Sequence, residues 1–334
     1  MYFSVVVPTF SRTDEVSELL TSLVEQQDKN FEVIIADGSL DDSVSRVIQR
    51  FKDKLQLIYL YKRALGISES RNWGVENAKG DFVVFFDSDC VIPPQYFVEV
   101  KKFLAANPLD AYGGPDKAGE NFNVKQKAIS YTMTSFFTTG GIRGRNSHVG
   151  QFQPRSFNMG IKRQVFNELE GFGGLKVSED IDLSIRLKKN GFHSGLIENA
   201  YVFHKRRSTF YKFFRQVLSF GSGRIDLQKR HGDALKPVHL LPSLFVLYLI
   251  GGIIISLFSK LIFMFWAASL IVYVMAILLD ASIQYRNLII GFMSVYAALV
   301  MLTGYGLGML KAILMRFIFK SSKESEKPEI TKGA

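Results

Sequence analysis

The chain has 334 residues, enough for one large domain or two smaller ones, and a formal net charge of +10. That charge is uneven: Met1 to His204 carries 24 basic and 25 acidic side chains, whereas Lys205 to Lys236 carries 9 and 2. The single cysteine, Cys90, excludes an intrachain disulfide framework and agrees with a reducing compartment.

Taken in chain order, the first half alternates strand and helix patterns. Met1 to Pro8 is too short in its apolar part for a signal peptide and lacks a basic leader, so Phe3 to Val7 reads as a first buried strand. Val16, Leu19, Leu20, Leu23 and Val24 follow helical spacing, with Thr13 or Asp14 available as a cap. Phe31 to Ala36 is a second strand, Val44 to Phe51 a second helix, Leu55 to Tyr61 a third strand and Ser68 to Ala78 a third helix. Lys79-Gly80-Asp81 turns the chain into Phe82-Val83-Val84-Phe85-Phe86, a fully apolar strand. Such alternation predicts a mainly parallel, three-layer α/β sheet. From Asn107 to Gly174 the periodicity weakens into glycine- and aromatic-rich loops, including Gly113-Gly114 and Gly140-Gly141. Order returns at Glu179 to Lys189, an amphipathic helix with Ile181, Ile185 and Leu187 inward and a stop at Asn190-Gly191.

The second half is apolar. Segments 240–259, 261–279 and 288–310 hold no charged residue, and each approaches the ~20 residues needed to cross a bilayer core. Before them, segment 205–238 mixes Phe210, Tyr211, Phe213, Phe214 and Phe220 with Lys212, Arg215 and Arg224. That pattern predicts a helix in the headgroup plane, apolar side toward lipid, and favours membrane lipid over nucleic acid as its partner. The basic segment places residues 1–204 on the cytosolic side of a membrane, such as a bacterial inner membrane. Three full spans would then put Lys311, Arg316 and Lys320 on the outer side, against the positive-inside tendency, so either one apolar run is interfacial or re-entrant or the tail is an exception. A polar tail, 312–334, closes the chain.

Chemistry gathers at strand ends. Asp87-Ser88-Asp89 follows the buried strand directly, where α/β sheets bind ligands, and its oxygens suit Mg²⁺ or Mn²⁺ holding a diphosphate. Asp and Ser are also common turn formers. Pro8-Thr9 and Asp37-Gly38-Ser39 close the first and second strands at the same edge, making one crevice. Arg71 and Asn72, on the third helix, offer a guanidinium suited to a diphosphate or a base edge. Glu179-Asp180 opens a helix whose amino terminus favours an ionised carboxylate, a plausible base or simply a cap.

These pieces, with Asn158-Met159-Gly160, resemble in order and spacing the inverting family-2 glycosyltransferases of GT-A fold, over about the first two hundred residues. The resemblance implies a metal-dependent transfer from a nucleotide-sugar donor to a hydroxyl of a lipid-linked or cell-envelope glycan. A polyprenyl phosphate, which needs no general base, is the alternative acceptor. It implies donor-side roles for Pro8, Thr9, Asp37, Ser39, Arg71, Asn72, Asp87 and Ser88, with Asp37 at the base and Asp87 near the ribose. Asp89 matches the metal-bound aspartate, with His204 nearby, Asp180 the general base, and Asn158 and Glu179 the acceptor side. Arg215-Gln216-Val217-Leu218-Ser219 lacks the arginine and tryptophan of processive polysaccharide synthases, which puts processive synthesis in doubt.

Overall fold

The computed structural model describes residues 1–117, 122–139, 152–205 and 207–318. Two compact units divide them: Met1–Ser130 with Gly141–Arg206, and Tyr131–Gly140 with Arg207–Ala334. Along the chain, the later division between them falls at Arg206 and Arg207. Unexpectedly, Tyr131–Gly140 leaves the first unit and joins the helical one.

The first unit is a three-layer α/β structure. Its strands and helices follow in the order β1 (Phe3–Thr9), α1 (Thr13–Val24), β2 (Phe31–Asp37), α2 (Ser43–Gln49), β3 (Leu57–Tyr61), α3 (Ile67–Glu76) and β4 (Phe82–Phe86). Then come β5 (Cys90–Val91), α4 (Tyr96–Ala106), β6 (Ala111–Gly113), β7 (Asp116–Lys117) and α5 (Val124–Thr134), whose end belongs to the other unit. After α6 (Phe136–Thr139), the first unit resumes with β8 (Asn158–Lys162), α7 (Arg163–Glu168), α8 (Glu179–Lys189), β9 (Ser194–Leu196) and β10 (Val202–His204).

A seven-stranded sheet runs β3-β2-β1-β4-β8-β6-β9 and is parallel except at β8. Every residue of β1, β2 and β4 is buried, as strands covered on both faces require. One face packs Phe3, Val5 and Val7 with Leu19 and Leu20 of α1 and Phe97 of α4. The other packs Val6, Val83 and Phe85 with Val75 of α3, Phe166 of α7 and Leu183 of α8.

Several local expectations shift. Arg12, without a side-chain capping bond, stands at the start of α1 in place of Thr13 or Asp14. The inward residues of α8 are Ile181, Leu183 and Leu187, while Ile185 is half-buried, because the sheet-facing stripe also takes the fully buried Asp182. The stretch expected to be loops holds β6 and β8, two inner strands of the sheet. They are short and glycine-containing, so periodicity could not reveal them; at Gly160 a Cβ would lie 2.0 Å from the Tyr112 ring. Gly140-Gly141 lies outside the described residues.

The second unit is helical: α9 (Phe210–His231), a 3-10 turn (Pro237–Leu240), α10 (Leu241–Ser256), α11 (Lys260–Tyr285) and α12 (Leu288–Ile318). Three stretches, Pro237–Ser256, Lys260–Tyr285 and Leu288–Arg316, are long and apolar enough to cross a membrane. Charge-free runs underestimated these helices: α11 continues through Asp280 to Tyr285, and α12 continues through Lys311, taking in the start of the expected polar tail. Thr209 caps α9 by accepting from Lys212 N. The apolar face of α9, with Phe213 and Val217 buried, is covered by α12 instead of being left for lipid.

Candidate active site

β1, β2 and β4 end at one edge. Thr9 pairs with Asp37, and Val6 of β1 with Phe85 of β4, so Asp87-Ser88-Asp89 emerges beside Pro8-Thr9. The strands run outward from β1 to β2 and β3, then cross back to β4 on the other side, the switch point where open α/β sheets bind ligands.

At the β2 end, Asp37 is fully buried. Its Oδ1 accepts from Ser39 N at 2.9 Å and from the Ser39 hydroxyl, and its Oδ2 accepts from the Tyr59 hydroxyl at 2.7 Å. Burial, then the Asp37 bond, pushes the Tyr59 hydroxyl up, so it stays protonated as a donor. Ser39 Oγ also accepts from Ser11 N at 2.7 Å, where Ser11 has the left-handed φ of 51°. Thr9 Oγ1 is buried without a hydrogen-bond partner among the described residues, a polar atom aimed at this edge.

Arg71 is the most buried cation of the site, 1% exposed. Nη2 donates to Asp87 Oδ1 at 2.8 Å and Nη1 donates to Glu179 Oε1 at 2.7 Å, while the guanidinium carbon stands 5.3 Å from the Phe172 ring centre. The guanidinium expected to meet a diphosphate is thus occupied by two carboxylates, which it holds in fixed directions. Burial, then the charge of Asp180, raises the Glu179 carboxyl above its ordinary value, against the pull of Arg71.

Asp89 has a different setting. Its Oδ2 accepts from Arg12 Nη1 at 2.8 Å and its Oδ1 lies 3.1 Å from His204 Nε2. Burial would raise this carboxyl, but His204 and Arg12 outweigh it and hold it well below the usual range. β10 delivers His204 by pairing antiparallel with β5, His204 opposite Cys90, and the imidazole stacks on Phe157 at 4.9 Å. Asp89, Cys90 and His204 bring ligand atoms within 4.8 Å of one another. Burial and the nearby aspartates push the Cys90 thiol well up, so it stays a protonated soft group unsuited to Mg²⁺ or Mn²⁺. The Asp89 carboxylate fits such an ion, and the Arg12 guanidinium already places positive charge on it.

Asp180 opens α8 after Ser178, whose φ is 67°. Its Oδ1 accepts from Ile181 N at 2.8 Å and stands 3.8 Å from Arg155 Nη1. Side-chain exposure of 16% leaves the carboxylate open to solvent.

Two expected contact residues also brace the fold. Asn158 is fully buried, accepting from the Tyr96 hydroxyl at 2.6 Å and donating to Ala200 O at 2.8 Å. Asn72 donates to Phe172 O at 3.0 Å and accepts from Phe172 N at 2.9 Å, clamping the Gly171-Phe172 turn. Ser88 is buried within its turn. Sequence reasoning missed Arg12, Tyr59 and Arg155. Arg12 follows Pro8-Thr9 by three residues, and that closeness to a recognised strand end was the available signal; Arg155 sits in the aperiodic stretch and carried none.

Residues 4–169 match the family model for glycosyl transferase family 2. An uncharacterized glycosyltransferase of Haemophilus influenzae is 36% identical over 106 residues, 31% of this chain and 35% of that protein. A poly(ribitol-phosphate) beta-N-acetylglucosaminyltransferase, TarS of Staphylococcus aureus, is 32% identical over 114 residues, 33% of this chain and 20% of that protein. The chain thus spans well under two thirds of these curated relatives. In fold, the chain is similar to the mannosyltransferase PcManGT of Pyrobaculum calidifontis in complex with GDP-Man and Mn²⁺. The TM-score is 0.65 at 16% identity, covering 93% of this chain and 86% of that one. The sheet, its acidic switch-point edge and the family match converge: this chain belongs to glycosyl transferase family 2, with a GT-A-like domain followed by helices long and apolar enough to span a membrane.

Proposed function

We propose that the chain transfers a sugar, with inversion, from a nucleotide-sugar donor to a hydroxyl of a lipid-linked or cell-envelope glycan at the cytosolic face of a membrane. One observation carries the reading: the buried Arg71 fork ties Asp87, at the end of β4, to Glu179, which adjoins Asp180. Donor-side carboxylate and base are thereby held in one framework. Thr9, Asp37, Ser39 and Asp87 line the donor side, and Asp89, with His204 beside it, would hold Mg²⁺ or Mn²⁺. Such an ion offsets charge on the diphosphate leaving group. Asp180 accepts the proton of the acceptor hydroxyl as that oxygen bonds to the anomeric carbon and the carbon–oxygen bond to the diphosphate breaks. A single displacement inverts the centre.

The test is a panel of nucleotide sugars with Mn²⁺ or Mg²⁺, given to the purified full-length protein with and without a membrane-lipid extract as acceptor source. Release of nucleoside diphosphate from one donor is expected; release from none under either condition overturns the reading. Asp180→Asn should lower turnover by about 10²–10⁴-fold while leaving nucleotide affinity near normal. Unchanged turnover would favour the polyprenyl-phosphate acceptor, whose oxygen is already an anion.

A further inference from the structure

The helical unit does not treat its three apolar helices alike. α10 and α11 form an antiparallel hairpin: Phe245 packs on Tyr273, Tyr248 on Trp266, and Gly252 abuts the Trp266 indole. Among the described residues, the close contacts that the glycines and buried cluster of α12 make with that hairpin lie toward its base. Gly291 meets Leu278 and Ser282 of α11, Ala298 joins Ile277 and Ala281, and Gly306 then meets Pro242 and Val246 of α10. It passes from one helix to the other at one end, so it crosses the hairpin and does not run along it. Toward the tip, Ile254, Ile255, Leu257, Phe258 and Phe265 are exposed.

α12 instead runs alongside α9. Phe210 meets Tyr296 edge-on at 4.8 Å, Gly304 lies against Phe214 and Val217, and Gly308 approaches Leu218 O so closely that a Cβ would lie 2.0 Å away. The contacts advance together, so the two helices are parallel neighbours. The outer side of α9 carries exposed Lys212, Arg215, Lys229 and Arg230. If Tyr296 to Gly308 lay in hydrocarbon, Lys212 and Arg215 would be held there with them, at high cost. At the hairpin base, Asp280 accepts from the Tyr131 hydroxyl at 2.5 Å and Tyr273 donates to Phe137 O at 2.9 Å, beside the 72%-exposed Phe136. A carboxylate and clustered aromatics suit a membrane–water interface better than a bilayer centre.

We propose that only the α10–α11 hairpin is inserted in the membrane, and that α12 lies with α9 in the headgroup layer on the hairpin's entry side. Lys311 and Arg316 then face the same side as Lys212, Arg215, Lys229 and Arg230, and the basic excess meets anionic headgroups on one leaflet. This arrangement satisfies the positive-inside tendency that three full spans violate. The apolar length of α12 is used against α9, the hairpin base and the acyl boundary.

This inference rests on the membrane reading and not on the chemistry proposed above. Cys90, the sole cysteine, is buried, so introduced cysteines report cleanly. Lys229→Cys and Arg316→Cys, with Lys311→Cys as a second reporter on α12, are treated with a membrane-impermeant maleimide in spheroplasts and in inverted vesicles of an expressing bacterial host. The expected result is that all three label in the same preparation. Labelling of Arg316→Cys and Lys311→Cys only from the side opposite Lys229→Cys, or only after detergent is added, overturns the proposal. Carbonate-resistant sedimentation checks membrane insertion separately, and donor-dependent diphosphate release checks the enzyme, so failure of either is distinguishable from a wrong topology.

Discussion

Asp87 and Asp89 leave the same strand two residues apart, and their surroundings differ in kind. Asp87 is tied to Arg71, which is 1% exposed and shared with Glu179. Asp89 meets Arg12, whose side chain is 32% exposed, and His204 at the end of β10. The first setting is a buried fork, where the cation cannot leave without stranding two carboxylates. The second pairs a more buried carboxylate, 11% exposed, with a cation that is itself partly in solvent. One strand end thus serves two purposes: a fixed frame on one side and an exchangeable positive charge on the other.

The largest expected effect tests the frame. Arg71→Met should destabilise the protein by about 3–5 kcal/mol, because it leaves the buried Glu179 and the partly exposed Asp87 without their shared cation. Denaturation of the purified protein in detergent measures this, and a loss below about 1 kcal/mol would break the distinction between the two sites. Metal binding is next. Asp89→Ala should weaken Mn²⁺ binding, followed by electron paramagnetic resonance, by roughly tenfold or more, whereas Asp87→Ala should weaken it less. Equal losses would erase the division of labour.

Arg12→Gln probes the exchangeable charge. Stability should fall by about 1–3 kcal/mol, since Gln can still donate a hydrogen bond but the Asp89 carboxylate, 11% exposed, loses a charged partner. Mn²⁺ affinity without nucleotide should rise about threefold to tenfold, since one competing positive charge is gone. A fall in affinity would mean that Arg12 helps to build the site. The smallest effect is on pH dependence. The folded-state carboxyl of Asp89 is held below its unfolded value of about 3.9, so its contribution is present above that pH and lost as pH falls toward the folded value. Asp89→Asn should therefore flatten the acid limb of the stability curve below about pH 4, measured by thermal denaturation.

Much of the fold and part of the site were legible in the residue order. Runs such as Phe82–Phe86 are buried on both faces and end in acids, so the strand ends, their shared edge, Asp37 and Asp89 could be picked out before any coordinates, whereas Asp180, at a helix start, came from the family resemblance. β6 and β8 could not, being three and five residues long with a glycine each. Arg71 was found, but its partners were not. Its charge is evident from its type, whereas its partners depend on a fold that brings Glu179 to it from 108 positions away. The partners of Asn72 and Asn158 were hidden for the same reason: an amide shows its chemistry in sequence, but not which atoms it meets, the Phe172 backbone for one and the Tyr96 hydroxyl with Ala200 O for the other.

The sequence by itself determined the period of most elements, three apolar segments, the basic segment before them and the acidic strand ends, because these are local properties of consecutive residues. Only the tertiary structure decided which cation faces which carboxylate, that His204 reaches Asp89, and that α12 packs on α9 and crosses the hairpin base. Those outcomes depend on contacts between residues far apart in the chain. Hydropathy sees α10, α11 and α12 as three comparable segments, since it cannot register that Gly304 and Gly308 let a charged helix lie against one of them.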